Sequence, residues 1–340
     1  MAHQKKGGIV NTLYPPGPRP GAGPRIKNHY RRFWWCDCLI LIIIVLVIVL
    51  PIIFVAIPHK AQHDIDASTL EVNSQEVTQP TENGIHLKIQ STAKSSSSFH
   101  PTLEAFTASF ALEGKEPFLH ANVPETKAEA ETTITIDQDV TIANMDAFKE
   151  YNKVVIGNES FNVMFYGKTK VHQSGLKPIS VDYTKKLTMK GLNKLAGMNI
   201  TNLKILSGLD EKLPDGSNMI GSVLIDNPSV MTLDLGNVTM DLSIEGKAIG
   251  YALLPNMVLK PGFNNCSMQS TLDQISVFQL VTTKYKDAIL PVDIKGNSSI
   301  ANGKHLPYFE EAIKGNVIRV NLDAGPALSA IGLFNATESL

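Results

Sequence analysis

The stretch RRFWWCDCLILIIIVLVIVLPIIFVAIPHK, residues 31–60, decides how the rest of the chain is organised. Within it, Leu39–Ile57 are nineteen consecutive residues without a charged or polar side chain. As a helix rising ~1.5 Å per residue they would extend about 28 Å, close to the thickness of a bilayer's hydrocarbon core. A buried strand would end after about eight residues. A secretory signal has a shorter apolar core of about 7–15 residues. The run therefore predicts one uncleaved transmembrane helix, Leu39–Ile57, which binds the chain to the lipid bilayer.

The charges on either side of this run predict its orientation. Residues 1–38 carry seven basic and one acidic residue, a net charge of +6, which leaves −7 for the rest of a chain whose total is −1. Positively charged flanks stay on the cytosolic side. We therefore expect a cytosolic N-terminus and a luminal or extracellular C-terminal body. Because that body is acidic and has no basic stripe, we expect no nucleic-acid partner.

Residues 1–38 are predicted to form a disordered cytosolic tail. The segment TLYPPGPRPGAGPR (Thr12–Arg25) is rich in proline and glycine and cannot build a hydrophobic core. Cys36 and Cys38 adjoin the apolar run on the cytosolic side, which is where S-palmitoylation takes place. They are candidate acylation sites. The alternative is that they are ordinary residues at an apolar boundary.

Six N-x-S/T sequons all follow the apolar run. The candidate N-glycosylation residues are Asn158, Asn199, Asn237, Asn265, Asn297 and Asn335. Their position weakly supports a luminal or extracellular body, since most of the chain lies on that side in any case. Of the three cysteines only Cys266 follows the run, so the body can form no internal disulfide and depends on a hydrophobic core.

Beyond Lys60 the hydrophobic pattern is that of strands. Apolar residues alternate with polar ones in the segments GIHLKI, TITIDQDVTI, SFNVMFYG, NVTMDLSIEG and NVIRVNL. This period of two, interrupted by Gly, Pro and Asn, predicts antiparallel sheets rather than βαβ units. Helical spacing occurs in MDAFKEYNKVV and in LPYFEEAIKG, where Pro307 is near the start and Gly315 just past the end.

A faint internal repeat predicts two copies of one domain. Phe99–Gly114 resembles Asp226–Gly246, and Ala147–Val171 resembles Val277–Ile300, at an offset of about 130 residues that is too long for a solenoid of short units. The turn-rich segment QSGLKPISVD suggests where the copies meet. The predicted domains are residues 58–175 and residues 176–340.

The second copy resembles a known family. The residues that carry the resemblance include Asn227, Pro228, Ser229, Gly236, Pro261 and Gly262, together with Leu235, Asn237, Val238, Gly250, Leu259, Lys260 and Asn264. They resemble the LEA type 2 (water-stress) β-sandwich and, more closely, a fungal single-pass membrane family described as domain of unknown function 3712. The first copy departs from this pattern, with His100-Pro101-Thr102 in place of Asn-Pro-Ser. The Asn-Pro-Ser triplet also has a structural interpretation as a corner between strands, which we favour over a binding role.

This resemblance implies a fold, a location and a type of function. The implied fold is a seven-stranded β-sandwich. Together with the internal repeat and the apolar run, it predicts an all-β chain with tandem LEA-2-like antiparallel β-sandwiches after one N-terminal transmembrane helix. The implied location is a vacuolar, lysosome-like or plasma membrane, reached through the endoplasmic reticulum. The resemblance implies no catalytic residues.

Direct signals for chemistry are weak. His59 and His63, with Asp64 and Asp66, have a spacing that could hold a metal on a helix, but a solvated neck is the ordinary expectation there. No G-x-S-x-G segment and no glycine-rich phosphate loop occurs, and Cys266 has no evident histidine partner. We therefore expect no catalytic residue, no cofactor and no metal site.

Two functions from different classes remain. The first is an anchored interaction or structural module that presents its loops to a luminal or extracellular protein or glycan. The second is a lipid-binding or lipid-transfer protein with an apolar groove in the body. The alternating strands could fill a core or line such a groove, and we favour the interaction module.

Overall fold

The computed structural model describes residues 22–208 and 211–334, and the chain divides into two compact units, one up to Lys60 and one from Ala61. In the first unit, helix α1 (Ala22–Pro51) is followed by a π-helical turn (Ile52–Ala56) and by the start of helix α2 (Ile57–Ala67). The predicted span Leu39–Ile57 is thus helical throughout. Pro51 lacks a backbone N–H, and the change to π-helical hydrogen bonding directly follows it.

Helix α1 begins earlier than the predicted span. Residues 22–38 are helical, whereas we expected them to belong to the disordered tail. From Ile26 to Cys38 the chain contains neither proline nor glycine, so nothing interrupts the helical hydrogen bonds ahead of the apolar run. The remaining part of the predicted tail, residues 1–21, lies outside the described residues.

The second unit is mostly strand. Its strands are β1 (Thr69–Thr78), β2 (Gly84–Lys94), β3 (Thr102–Leu103), β4 (Phe106–Leu112), β5 (Pro117–Val123), β6 (Thr126–Lys127), β7 (Glu131–Thr141), β8 (Ser160–His172), β9 (Ile179–Lys190), β10 (Asn199–Ile205), β11 (Met219–Asn227), β12 (Met231–Ile244), β13 (Lys247–Leu259), β14 (Gly262–Leu272), β15 (Ile289–Ala301), β16 (Lys304–His305) and β17 (Val317–Asp323). Its further helices are α3 (Met145–Gly157), a 3-10 turn (Asn193–Leu195), α4 (Gln274–Thr283), α5 (Pro307–Lys314) and α6 (Gly325–Ala330).

The same pairing order of strands occurs twice along the second unit. In the N-terminal half the order is β1-β2-β7-β5-β4-β8-β9, where β5 is joined to the β7 side by an isolated bridge between Leu119 and Ile142, the residue directly after β7. In the C-terminal half it is β10-β11-β14-β13-β12-β15-β17. Helices α3 and α4 occupy the same place in the two halves, directly before β8 and β15. We refer to Thr69–Lys190 and Asn199–Asp323 as the first and second repeat.

The predicted boundary at residues 175 and 176 does not separate these repeats. It lies in the connection between β8 and β9, which pair antiparallel from Ser160 with Lys190 to Val171 with Ile179. The turn-rich segment is therefore a hairpin connection, in which Gly175 has a φ of +81°. The first repeat ends only at Lys190, because β9 is its last strand.

The two repeats are joined into one compact unit rather than forming the separate domains that we expected. Strand β1 of the first repeat runs parallel to the start of β12 in the second, with Gln75 opposite Met231 and Val77 opposite Leu233. After this contact β12 pairs with β15 from Asn237 onward. One continuous hydrophobic core contains residues of both repeats.

Helix α3 shows why this core is shared. Asn144 caps its N-terminus by accepting hydrogen bonds from two backbone N–H groups. Its buried face includes Phe148 and Tyr151. The ring of Phe148 lies 4.9 Å from that of Tyr308 in α5, and the ring of Tyr151 stacks at 4.3 Å on Phe118. Aromatic side chains of the first repeat thus pack against a helix of the second.

Candidate functional site

The N-terminal helix is long and apolar enough to cross a membrane. The qualifying segment is His29–Ala67, and its most apolar window buries nothing within the protein. Side chains such as Leu46 and Val47 remain 47% and 64% exposed. A lipid bilayer would remove this apolar surface from water, and a continuous helix satisfies its own backbone groups there. Cys36 is half-buried and Cys38 exposed in α1, both as free thiols, and their acylation stays a prediction.

The last turns of α2 are held against strand β9 by a buried lysine. The Lys185 side chain is 7% exposed. Its Nζ donates hydrogen bonds to the carbonyl oxygens of Ile65 at 2.6 Å and Asp66 at 3.2 Å, and also to that of Ser68. A cation at a helix C-terminus satisfies carbonyls that have no partner within the helix. Removal from water lowers the pKa of the Lys185 ammonium, and the Asp66 carboxylate opposes this shift.

A second contact fixes the position of the same end of α2 along strand β9. Gln62 donates from Nε2 to the carbonyl of Asp182 at 2.8 Å and accepts from the Asp182 N–H at 2.9 Å. Sequence reasoning missed both contacts. A signal was present for Lys185, because it occupies an inward position between Tyr183 and Leu187 in an otherwise regular alternation of buried apolar and exposed residues.

We expect Lys185→Met to lower the free energy of unfolding by about 2 kcal/mol, since hydrogen bonds from a charged group contribute about 1.5–3 kcal/mol and three carbonyls lose their donor. Urea unfolding of the full chain in detergent measures this loss. Lys186→Met is the matched control, because Lys186 is exposed and, among the described residues, forms its ion pair with Glu113 at the surface. Its removal should cost less than about 1 kcal/mol. Equal losses in the two variants would contradict the role of Lys185.

The Asn-Pro-Ser triplet forms a buried corner between β11 and β12. Asn227 and Ser229 are 1% and 4% exposed. Asn227 donates from Nδ2 to the carbonyl of Met231 at 2.7 Å, and its Oδ1 accepts from the N–H and the hydroxyl of Ser229. The hydroxyl oxygen of Ser229 accepts from the N–H of Met231. The hydrogen bonds of these two side chains close the turn. Pro228 has no backbone N–H that would need a partner.

A second loop lies beside this corner. Gly262 pairs with Asn227 at the ends of β14 and β11. The residues Lys260, Pro261 and Gly262 are held by Asn264, whose Oδ1 accepts from the Lys260 N–H at 2.9 Å and whose Nδ2 donates to the Lys260 and Gly262 carbonyls. Gly262 has a φ of +85°, which glycine adopts readily. The structure thus brings together Asn227, Pro228, Ser229, Pro261 and Gly262, and it places Gly236 farther along β12.

The candidate glycosylation residues within the described part of the chain lie at the surface. Asn158, Asn199, Asn237, Asn265 and Asn297 are all exposed, and Asn335 lies outside the described residues. Three of these side chains are held by hydrogen bonds: Asn199 accepts from the N–H of Ile200, Asn237 accepts from the N–H of Asn256, and Asn297 donates from Nδ2 to Asp241 at 2.8 Å. Exposure is compatible with a glycan at each of the five, and their use stays a prediction.

His86 lies at the surface beside two carboxylates. His86 contacts Asp139 at 2.8 Å and Asp137 at 3.1 Å, and the hydrogen bond to Asp139 is the main cause that raises the pKa of His86. Within residues 22–208 and 211–334, no group of three or more His, Cys, Asp or Glu side chains is arranged to hold a metal ion. That statement includes His59, His63, Asp64 and Asp66. Burial raises the pKa of Cys266, which makes its thiolate less available.

Comparison with known proteins gives one family match. The family described as "Protein of unknown function (DUF3712)" matches residues 116–242. The matched segment begins in the hairpin of β4 and β5 and ends within β12. It therefore crosses the junction between the two repeats and includes Asn227, Pro228, Ser229 and Gly236, but not the loop that follows β13. No curated protein matches the chain.

Solved structures give only distant similarities. A bacterial adhesin from Mobiluncus mulieris that contains disulfide, isopeptide and ester cross-links is 9% identical, with 68% of this chain and 80% of that chain covered and a TM-score of 0.20. The periplasmic chaperone SfaE is 9% identical, with 75% of this chain and 100% of that chain covered and a TM-score of 0.18. At such TM-scores these similarities carry no argument about the function of this chain.

Proposed function

We propose that the chain is a single-pass membrane protein whose body is a non-catalytic interaction or structural module on the luminal or extracellular side. The observation that carries this proposal is an exposed apolar helix of membrane-spanning length, followed by a compact β-rich unit. The basic residues before the helix favour a cytosolic N-terminus. The family resemblance supports a vacuolar or plasma membrane, and LEA-2-like sandwiches as the ancestry of the two repeats.

The packing of the body favours an interaction module over a lipid carrier. Val238, Met240, Leu242 and Ile244 point inward from β12 and are between 1% and 4% exposed, so they fill the interior. A lipid groove would leave part of such a surface uncovered until the ligand binds. An open depression in the first repeat, lined by residues 124–127, 129 and 131–135, has a mostly polar wall that includes Glu125, Lys127, Glu129 and Glu131.

Protease protection in sealed microsomes tests the proposed topology. With tags at both ends of the full chain, protease added outside should remove the N-terminal tag and leave the C-terminal tag intact, because the body is enclosed by the membrane. Detergent should then expose the C-terminal tag, which controls for a body that is simply resistant. Loss of the C-terminal tag without detergent would refute the topology.

Native electrophoresis of the full chain in mild detergent tests the interaction module. We expect a species larger than the monomer. It should persist when Leu39–Ile57 is replaced by an unrelated apolar span of equal length, because the body makes the contacts. The matched control keeps the native span and replaces the body with an unrelated folded domain, and it should run as a monomer. A full chain that runs only as a monomer would argue against the module.

A further inference from the structure

The face formed by β10, β11 and β14 carries an apolar side chain that nothing in the described structure covers. Phe263 is 91% exposed, the largest exposure among the exposed large hydrophobic side chains of the described residues. It directly follows the loop closed by Asn264. Phe263 is paired with Asp226 in the register of β14 and β11. Covering a phenyl ring that is presented this fully to water would be favourable, because apolar surface would leave the solvent.

Asn265 lies two residues beyond Phe263 on the same strand. Successive side chains of a strand point to opposite faces, so Phe263 and Asn265 share a face and are about 6.6 Å apart along β14. The burial pattern agrees, because Phe263, Asn265 and Ser267 are exposed while Asn264 and Cys266 between them are half-buried. Asn265 is the acceptor of the sequon Asn265-Cys266-Ser267.

The neighbouring strands extend this row. Leu224 in β11 is 36% exposed and stands opposite Asn265, and Asn199 in β10 stands opposite Leu224. Asn199 is itself a sequon acceptor. Across the sheet the order is thus asparagine, leucine, asparagine, with neighbouring strands about 4.8 Å apart. The Asn265 side chain makes no hydrogen bond among the described residues, in contrast to those of Asn237 and Asn297.

We propose that Asn265 carries an N-linked glycan whose first sugar packs on the ring of Phe263. A pyranose has one face lined by C–H groups, and the negative face of an aromatic ring attracts the positive edges of such groups. Spacing of two residues on one strand face places the ring beside the sugar joined to Nδ2. The glycan is thereby the partner that removes Phe263 and part of Leu224 from water.

The attachment itself needs a donor from outside the chain. The amide nitrogen of Asn265 attacks C1 of the first sugar of an oligosaccharide linked to a lipid pyrophosphate. The N–C1 bond forms as the bond between C1 and the pyrophosphate oxygen breaks. The lipid pyrophosphate leaves with that electron pair, and the amide gives up one proton to the transferase. Ser267 is the hydroxyl-bearing third residue that the sequon requires.

A two-by-two set of full-length variants made in eukaryotic cells tests this proposal. Ser267→Ala removes the sequon without changing Asn265, Phe263→Ala removes the ring, and a third chain carries both changes. Loss of the glycan should lower the melting temperature by about 2 °C when Phe263 is present, as expected for a contact of this size in the unit that runs from Ala61 to Leu340. It should change the melting temperature much less when Phe263 is alanine. Circular dichroism of the strands gives the readout.

Trimming the glycan sharpens the test. An endoglycosidase that leaves only the first sugar on Asn265 should preserve the melting temperature, because that sugar makes the contact. Asn297→Gln is the matched control: it removes a sequon with no neighbouring exposed aromatic residue two positions earlier, and its effect should be independent of Phe263. Equal losses from Ser267→Ala with and without Phe263 would overturn the proposal, and so would loss of the effect on trimming.

This inference rests on the proposed luminal or extracellular body, and the outcomes separate the two. Glycopeptide mass spectrometry of the wild-type chain reads the occupancy of every sequon. If no sequon is occupied, the proposed topology and the inference about Asn265 are both refuted. If other sequons are occupied and Asn265 is not, the topology stands and the inference alone is refuted.

Discussion

Replacing Leu242 with aspartate is expected to unfold the β-rich unit. Leu242 is 4% exposed near the end of β12, with Gly250 of β13 on one side and Ile294 of β15 on the other. The substitution removes a buried side chain, which costs about 2–5 kcal/mol, and places an unpaired charge in the interior, which costs several more. The sum is comparable with the whole stability of a typical protein, about 5–15 kcal/mol.

Leu224→Asp is the matched control for this prediction. Leu224 lies in the same sheet but is 36% exposed on its outer face, so the new carboxylate remains in water. Circular dichroism and resistance to protease should show a folded Leu224→Asp chain and an unfolded Leu242→Asp chain. In addition, native mass spectrometry of the body, released from membranes at an inserted cleavage site, should show no bound lipid. A folded Leu242→Asp chain that had lost a stoichiometric lipid would instead make lipid binding the leading function.

Gly236→Ala is expected to lower the free energy of unfolding by about 3 kcal/mol. Gly236 has a φ of +66°, and a Cβ built there would lie 2.4 Å from the carbonyl oxygen of Ile300. An alanine therefore incurs about 1–2 kcal/mol for the left-handed backbone and about 1–3 kcal/mol for the overlap. The overlap involves backbone atoms of β15, which cannot rotate away as a side chain would.

Gly246→Ala separates these two contributions. Gly246 also has a positive φ, +80°, but among the described atoms none lies within 4 Å of the position of its Cβ. It should lose only about 1 kcal/mol, because the backbone strain is the only cost. Urea unfolding of both full-length variants measures the difference. If the two variants lose the same stability, the close approach of Ile300 is not what requires glycine at position 236.

Much of this fold follows from local patterns. The alternation of Val238, Met240, Leu242 and Ile244 specifies which face of β12 is buried, because a strand has a period of two and one face is apolar. Helix α5 begins at Pro307 and ends before Gly315, as the proline near its start and the glycine just past its end predict. The sequence segments that we aligned as a repeat lie on β4 and β12, and on α3 with β8 and α4 with β15. Such features depend on neighbouring residues, and they can be predicted from one sequence.

The remaining features depend on tertiary contacts. The sequence contains a turn at QSGLKPISVD, but whether a turn ends a domain or closes a hairpin depends on what the next strand pairs with. Lys185 breaks the alternation of β9, and only the position of α2 explains the break. The parallel contact between β1 and β12 joins residues more than 150 positions apart, and no local pattern specifies it.

That parallel contact also has a consequence for how the chain is synthesised. Among the described residues, the edge of β1 that faces away from β2 pairs with residues 231–233 of β12, and the Gln75 N–H donates to the Val230 carbonyl just before them. When ribosomes have completed the first repeat at Lys190, some forty residues remain before this cover exists. During that interval β1 presents a bare strand edge, which is a template for self-association. We therefore expect a nascent chain arrested in this window to self-associate through β1.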